Sequence, residues 1–182
     1  MEYFKKNDIE VLFLSDPVDP FVIPSINEYD KKPLKSIDKA DIDLKDKEKK
    51  DAGSLSESVA KPLIKAFKEI LIDKVEDVVV SKRLVDSVVT LVTPKTGMDP
   101  QMEKMMKMMN KEYTGAKKIL EINLSHPLIK NLSKMQENSK QNPLFKESAL
   151  QLYDGALLIE GSLNSPNDFV KRMADFMEKA TS

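Results

Sequence analysis

Cysteine is absent from the 182 residues. That excludes disulfide staples, thiolate zinc sites and cysteine nucleophiles, and it fits a reducing, cytoplasmic compartment. No apolar run approaches the length that spans a bilayer, and Met1-Glu2-Tyr3-Phe4-Lys5-Lys6 lacks the apolar centre of a secretory signal, so no membrane partner is expected. Net charge is −1, from 29 basic and 30 acidic side chains, so no broad field draws polyanions. Only Arg83 and Arg172 are arginines, which leaves few planar forks for phosphates or base edges; nucleic acid is not an expected partner either. His126 is the one histidine, and no catalytic triad assembles around it. The 5 glycines never gather into a phosphate-cradling loop, and the aspartates at 41 to 46 lack the glycine of a calcium loop. No catalytic residue, metal ligand or cofactor site is assigned.

What is present is 41% apolar and 32% charged, the composition of a soluble globular protein. Ile9 to Leu14 is a short apolar run rich in branched residues and reads as a buried strand. Asp16-Pro17 then caps a helix that Pro20 and Pro24 bend or break. One strand and one bent helix cannot bury each other, so residues 1–44 read as the end of a preceding α/β domain. Charge takes over from Asp30 onward, and 45–57 reads as a charged linker, with an exposed, charge-paired helix over 43–52 as the alternative.

A domain over 58–182 follows. Ser58 or a neighbour caps a helix with Leu63, Ala66, Phe67, Ile70 and Leu71 on one face. Val75–Val80, Val88–Val92 and Lys118–Leu124 read as three strands; in the last, Leu120, Ile122 and Leu124 alternate with Glu121 and Asn123. His126-Pro127 opens a short helix through Leu128, Ile129 and Leu132.

Two stretches carry more than packing. Six of the 10 methionines lie between Met98 and Met109, and after the helix start at Asp99-Pro100 a helical projection puts Met102, Met105, Met106 and Met109 on one face. Glu103, Lys104, Lys107 and Lys111 take the other. Thioether side chains adapt to varied apolar partners, which favours a binding face; an ordinary core helix is the plain alternative, and copper(I) on thioethers is chemically allowed. The second stretch is the C-terminal pair of helices. Phe145, Ala149, Leu152, Ala156, Ile159 and Leu163 recur in steps of four and three from Pro143 to Leu163, with Leu150, Tyr153 and Leu157 on an adjoining row. Gly161 and Asn164 stop that helix. Ser165-Pro166-Asn167-Asp168 starts another, with an N-cap hydroxyl, carrying Phe169, Val170, Met173, Phe176, Met177 and Ala180. Two arrangements cover these rows: a four-helix bundle made with a second copy, or a hairpin folded back on its own domain.

Lys95-Thr96-Gly97 and Ser58-Val59-Ala60-Lys61 match two motifs of penicillin-binding serine enzymes, but the third motif is missing between them. No penicillin-type label is expected.

Several blocks together resemble the heat-shock protein 90 chaperones of bacterial type. Ile9-Glu10-Val11-Leu12-Phe13-Leu14-Ser15-Asp16-Pro17-Val18-Asp19 looks like the last strand and helix start of that family's middle domain, with Glu28-Tyr29-Asp30 ending the helix. Val75-Glu76-Asp77-Val78 to Ser81-Lys82-Arg83-Leu84, Met98-Asp99-Pro100-Gln101-Met102-Glu103-Lys104-Met105-Met106, and Ile119-Leu120-Glu121-Ile122-Asn123 to His126-Pro127-Leu128 look like its C-terminal domain. Asp30-Lys31-Lys32 departs by lacking a usual turn glycine, and Val88 and Leu124 stand where prolines are common.

The resemblance implies an α+β fold: a small three-stranded sheet packed with helices, preceded by an α/β remnant and ending in a hairpin that forms a four-helix bundle in a homodimer. Its dimer contacts would be Leu152, Ala156, Ile159, Leu163, Phe169, Met173, Phe176 and Met177. Met98, Met102, Met105, Met106 and Met109 would touch non-native client proteins. The implied role is a dimerisation and client-contacting module of a cytoplasmic, ATP-dependent stress chaperone, against a monomeric helical scaffold without a client face. ATP and magnesium would belong to a domain outside this chain, so the segment itself is not expected to be an enzyme. The acidic pentapeptide of the eukaryotic cytosolic branch is not expected after Lys179-Ala180-Thr181-Ser182.

Overall fold

The computed structural model describes residues 1–16, 18–26, 28–40, 44, 53–98, 100–110, 115–138 and 142–182. The expected linker over 45–57 is therefore described only from residue 53, and the alternative helix over 43–52, apart from Leu44, the helix start at Asp99 and the charged-face residue Lys111 lie outside the described residues.

The N-terminal part is two short helical pieces and a minimal hairpin. Helix α1 (Glu2–Lys6) buries Phe4. Ile9 to Leu14 is not the buried strand expected from its branched residues: it has no regular structure, and Phe13 is 76% exposed. A strand is held by pairing, and this stretch pairs with no strand among the described residues. Helix α2 (Asp19–Val22) does start behind Asp16, whose Oδ1 accepts from the Val18 amide at 3.0 Å while its own amide donates to Asp19 Oδ2 at 2.9 Å. Pro20 costs nothing in the first turn, but Pro24 removes a donor, and the helix tightens into a 3₁₀ turn over Ile23–Ser25. Glu28-Tyr29-Asp30 does not end a helix. Strands β1 (Glu28–Tyr29) and β2 (Lys32–Pro33) pair antiparallel across Asp30 and Lys31, whose φ values of 47° and 61° are those of a primed hairpin turn made without glycine.

The main body starts with α3 (Glu57–Ile70), whose N-cap position is Ser56, a neighbour of Ser58, without a side-chain capping bond. Its spacing puts Ala60, Leu63 and Phe67 on one face, with Leu71 just beyond the last turn, and all four are buried. Strands β3 (Val75–Val80), β4 (Val89–Val92) and, after α4 (Pro100–Met109), β5 (Lys118–Ile122) form a mixed sheet of order β3-β5-β4. β5 runs parallel to β3 and antiparallel to β4, and its Leu120 stands beside both Val78 and Leu91. Helix α5 (Pro127–Asn138) follows His126, whose Nδ1 accepts from the Leu128 amide at 3.1 Å: a capping role for the single histidine.

Helix α6 (Pro143–Ile159) is capped by Asn142 Oδ1 on the Leu144 amide at 2.9 Å and ends where Gly161 takes φ 70°. Leu163 therefore falls past the turn, not on the helical row proposed for it. Helix α7 (Pro166–Thr181) begins at Ser165, whose hydroxyl makes no capping bond. α6 packs on β4, α3 and α5, with Phe145 edge-on to Phe67 at 5.5 Å between ring centres. One core results, from Leu63, Phe67, Val78, Leu120, Ile122, Ile129, Leu132 and Phe145.

Candidate functional site

Two surfaces carry the residues singled out by sequence. On α6 the row in steps of three and four is split by the fold. Phe145, Ala149 and Ala156 are buried in the chain's own core, and Leu152 is half-buried against it. Alanine lets α6 approach the sheet closely, so the small residues face inward. Ala156, at 4% exposure, has almost no surface left for another molecule. The row's far end is different: Ile159 is 85% exposed, beside an exposed Leu158.

Every residue of α7 is described, and none is buried. Phe169 and Phe176 are half-buried, whereas Met173 and Met177 are 43% and 61% exposed, with Val170 beside them. Leu163, in the connection, is half-buried. What holds α7 on α6 is Arg172, paired with Asp154 and donating from Nε to Gln151 Oε1 at 3.2 Å. Ile159 from one helix and Val170, Met173 and Met177 from the other leave apolar surface open, while Ala156 is buried and Leu152, like Phe169 and Phe176, is half-buried. Leu158 was missed as a surface candidate, and Val170, though placed on the apolar row of the last helix, was left out of the dimer contacts. Their signal was that α6 and α7 each carry more apolar rows than one neighbour covers.

Helix α4 lies with its thioethers outward. Met102, Met105, Met106 and Met109 are exposed, as are Met98 before the helix and Met108 within it. The plain alternative of a core helix does not hold for this face. Among the described side chains of α4 only Glu103 is buried, and its Oε1 accepts from the Ala116 amide at 3.0 Å. Glu103 ties its side of the helix to the chain leading into β5, while the methionines reach the surface.

The serine-enzyme motifs come to nothing chemical. Lys61 is exposed and paired with Glu57 at 2.7 Å, and that hydrogen bond raises its pKa, the wrong direction for a general base. Ser58 Oγ lies 3.0 Å from Ser56 Oγ, also in the open. Among the described residues no three metal-ligating side chains converge, and no helix is long and apolar enough to cross a membrane.

Sequence reasoning also missed Glu2, Arg83, Glu121 and Asn123. Glu121 and Asn123 sit on β5 and just after it, at the polar positions of the alternation, yet both are buried. Arg83 Nε faces Glu121 Oε2 at 3.0 Å, off the line a hydrogen bond needs, with both side chains buried.

A model of the Hsp90 protein family matches residues 1–182. The chaperone protein HtpG of Chlorobium luteolum is 55% identical over 181 residues, covering 100% of this chain and 29% of that protein. HtpG of Chlorobium phaeobacteroides is 56% identical over 182 residues with the same coverage. HtpG of Geobacter metallireducens is 38% identical over 182 residues, covering 97% of this chain and 28% of its own length. The chain spans less than a third of the curated relatives it matches.

Proposed function

The chain belongs to the Hsp90 protein family, and on that premise we propose that it is the dimerisation and client-contacting part of a cytoplasmic, ATP-dependent chaperone. The observation that carries the reading is α7: sixteen residues with Phe169, Val170, Met173, Phe176 and Met177 and no buried side chain. A helix of that length is marginal alone in water and draws its stability from burying an apolar face. A second copy related by a twofold axis supplies that cover, α6 and α7 of each copy making a four-helix bundle.

The contact is narrower than the row first read from the sequence. Ile159, Val170, Met173 and Met177 are its centre, Phe169 and Phe176 its flanks, and Leu152 and Ala156 support it from inside the domain. The methionine face of α4 is the client surface, since flexible thioethers fit varied apolar segments of non-native proteins. Nucleotide hydrolysis belongs to the part of the longer relatives that this chain does not span.

Sedimentation equilibrium tests the dimer. The chain is expected to be dimeric at low micromolar concentration, and Ile159→Asp, which forces an unpaired carboxylate into the bundle, should weaken dimerisation by about 3 kcal/mol, roughly 100-fold. A parent chain that is monomeric throughout, or a variant as dimeric as the parent, overturns the reading.

A further inference from the structure

The loop between β3 and β4 is tied from below and binds from above. Below, β5 holds it: Ser81 Oγ donates to Glu121 Oε2 at 2.7 Å, and Asn123 Nδ2 donates to the carbonyls of Val85 and Ser87 at 3.1 and 3.0 Å. Ser81 Oγ also accepts from the amides of Arg83 and Leu84, both at 3.1 Å. The loop is thus rigid without being part of the sheet.

Donors of Arg83, Val85, Asp86 and Ser87 reach residues far upstream in the chain. The amides of Val85 and Asp86 donate to Glu2 Oε2 at 2.7 and 2.9 Å, and the Ser87 amide and hydroxyl donate to the same carboxylate. These consecutive amides make a concave anion seat, and α1 places Glu2 in it. Burial alone would raise the Glu2 pKa, but the bonds from Ser87, Val85 and Asp86 outweigh it and lower it to about 2. On the other flank, Arg83 donates from Nη1 to the Ile37 carbonyl and from Nη2 to the Lys39 carbonyl at 2.8 Å. There the chain runs alongside the end of β4: the Thr93 amide donates to the Asp38 carbonyl at 2.9 Å, and the Ala40 amide to the Thr93 carbonyl at 3.0 Å. Releasing residues 37–40 would leave two of the three guanidinium nitrogens of a buried arginine without acceptors, which is costly.

We infer that the Ser81–Ser87 loop is a two-sided joint that seats Glu2 of α1 in its amides and the Ile37–Lys39 backbone on Arg83, fixing α1 and residues 37–40 at a set orientation on the β3-β5-β4 sheet. The segment before the charged stretch is then a docked part of this domain and not a free tether. In a twofold dimer the joint sets the direction in which each chain departs from the shared axis.

The absence of cysteine makes the test clean. Spin labels at Lys6→Cys and Lys134→Cys, both exposed sites, measure the distance from α1 to α5 in chains diluted with unlabelled protein. A single narrow distribution is expected, broadening at least twofold in Glu2→Ala. For the other side, Arg83→Met with Glu121→Gln replaces the buried pair by neutral side chains. Exchange of the Ala40 and Thr93 amides should then quicken roughly tenfold, with Leu120 and Ile122 unchanged. An unaltered label distance in Glu2→Ala, or unaltered Ala40 and Thr93 exchange with the sheet intact, overturns the joint. Should the double variant also loosen Leu120 and Ile122, the Glu2→Ala distance decides alone, since Glu2 lies outside the core.

Discussion

Glu2 is a carboxylate whose charge the fold uses, so it gives a pH signature at the residue scale. Its folded pKa is about 2 against an ordinary 4.5, depressed by the bonds from Ser87, Val85 and Asp86 in spite of burial. A depressed acid contributes stability that is fully present above the unfolded pKa and is lost as pH falls through the folded one. The difference in Tm between the parent and Glu2→Ala should therefore be constant above about pH 5 and shrink between roughly 4.5 and 2. A difference that persists at pH 2 would mean that packing of α1, not the ionised seat, does the stabilising. The two arginines teach a related lesson. Their scarcity leaves few planar forks, and both are used inside the chain, Arg83 with Glu121 and Arg172 with Asp154. Nothing in a local pattern says that Glu121, at the polar position of an alternating strand, meets an arginine from another loop on a covered face. Partners distant in sequence are invisible to a period of two.

Elements were more legible than their surroundings. β3 was read residue for residue, β4 and β5 to within two residues at their ends, and the face of α3 with Leu63, Phe67 and Leu71 is the centre of the core. Those readings rest on short-range physics: β-branched runs, helical spacing, proline and asparagine at helix starts. Ile9 to Leu14 failed for the complementary reason, since composition reports a preference for pairing but cannot supply the strand to pair with. Helix α4 is the element whose exposure sets a clear expectation. Because Met102 and Met106 reach the surface and stand outside the sheet core, changing both to serine should lower the melting temperature by only about 4 °C. If the face binds clients, the same pair should weaken capture of an unfolded test protein several-fold while sedimentation still reports a dimer. Unchanged capture would leave α4 without the role proposed for it.

At the scale of the whole molecule, stability and assembly are joined through α7. Its apolar residues are half-buried at best, and one buried-side anchor, Arg172 with Asp154 and Gln151, holds it to α6. A lone copy therefore keeps its sheet core but spends little apolar burial on its last sixteen residues. If association covers Ile159, Val170, Met173 and Met177, the folded dimer is favoured by mass action, and apparent stability rises with protein concentration. Thermal melts across a hundredfold range of concentration, followed by helix signal, should show Tm rising in the parent chain. Ile159→Asp, associating roughly 100-fold more weakly, should lose that rise at the dilute end of the range, with loss of helix from α7 preceding loss of the sheet there. Parallel curves for the two proteins would mean that α7 is stabilised within a single copy, and the fold-back arrangement, already adopted by the inner row of α6, would then describe the whole hairpin.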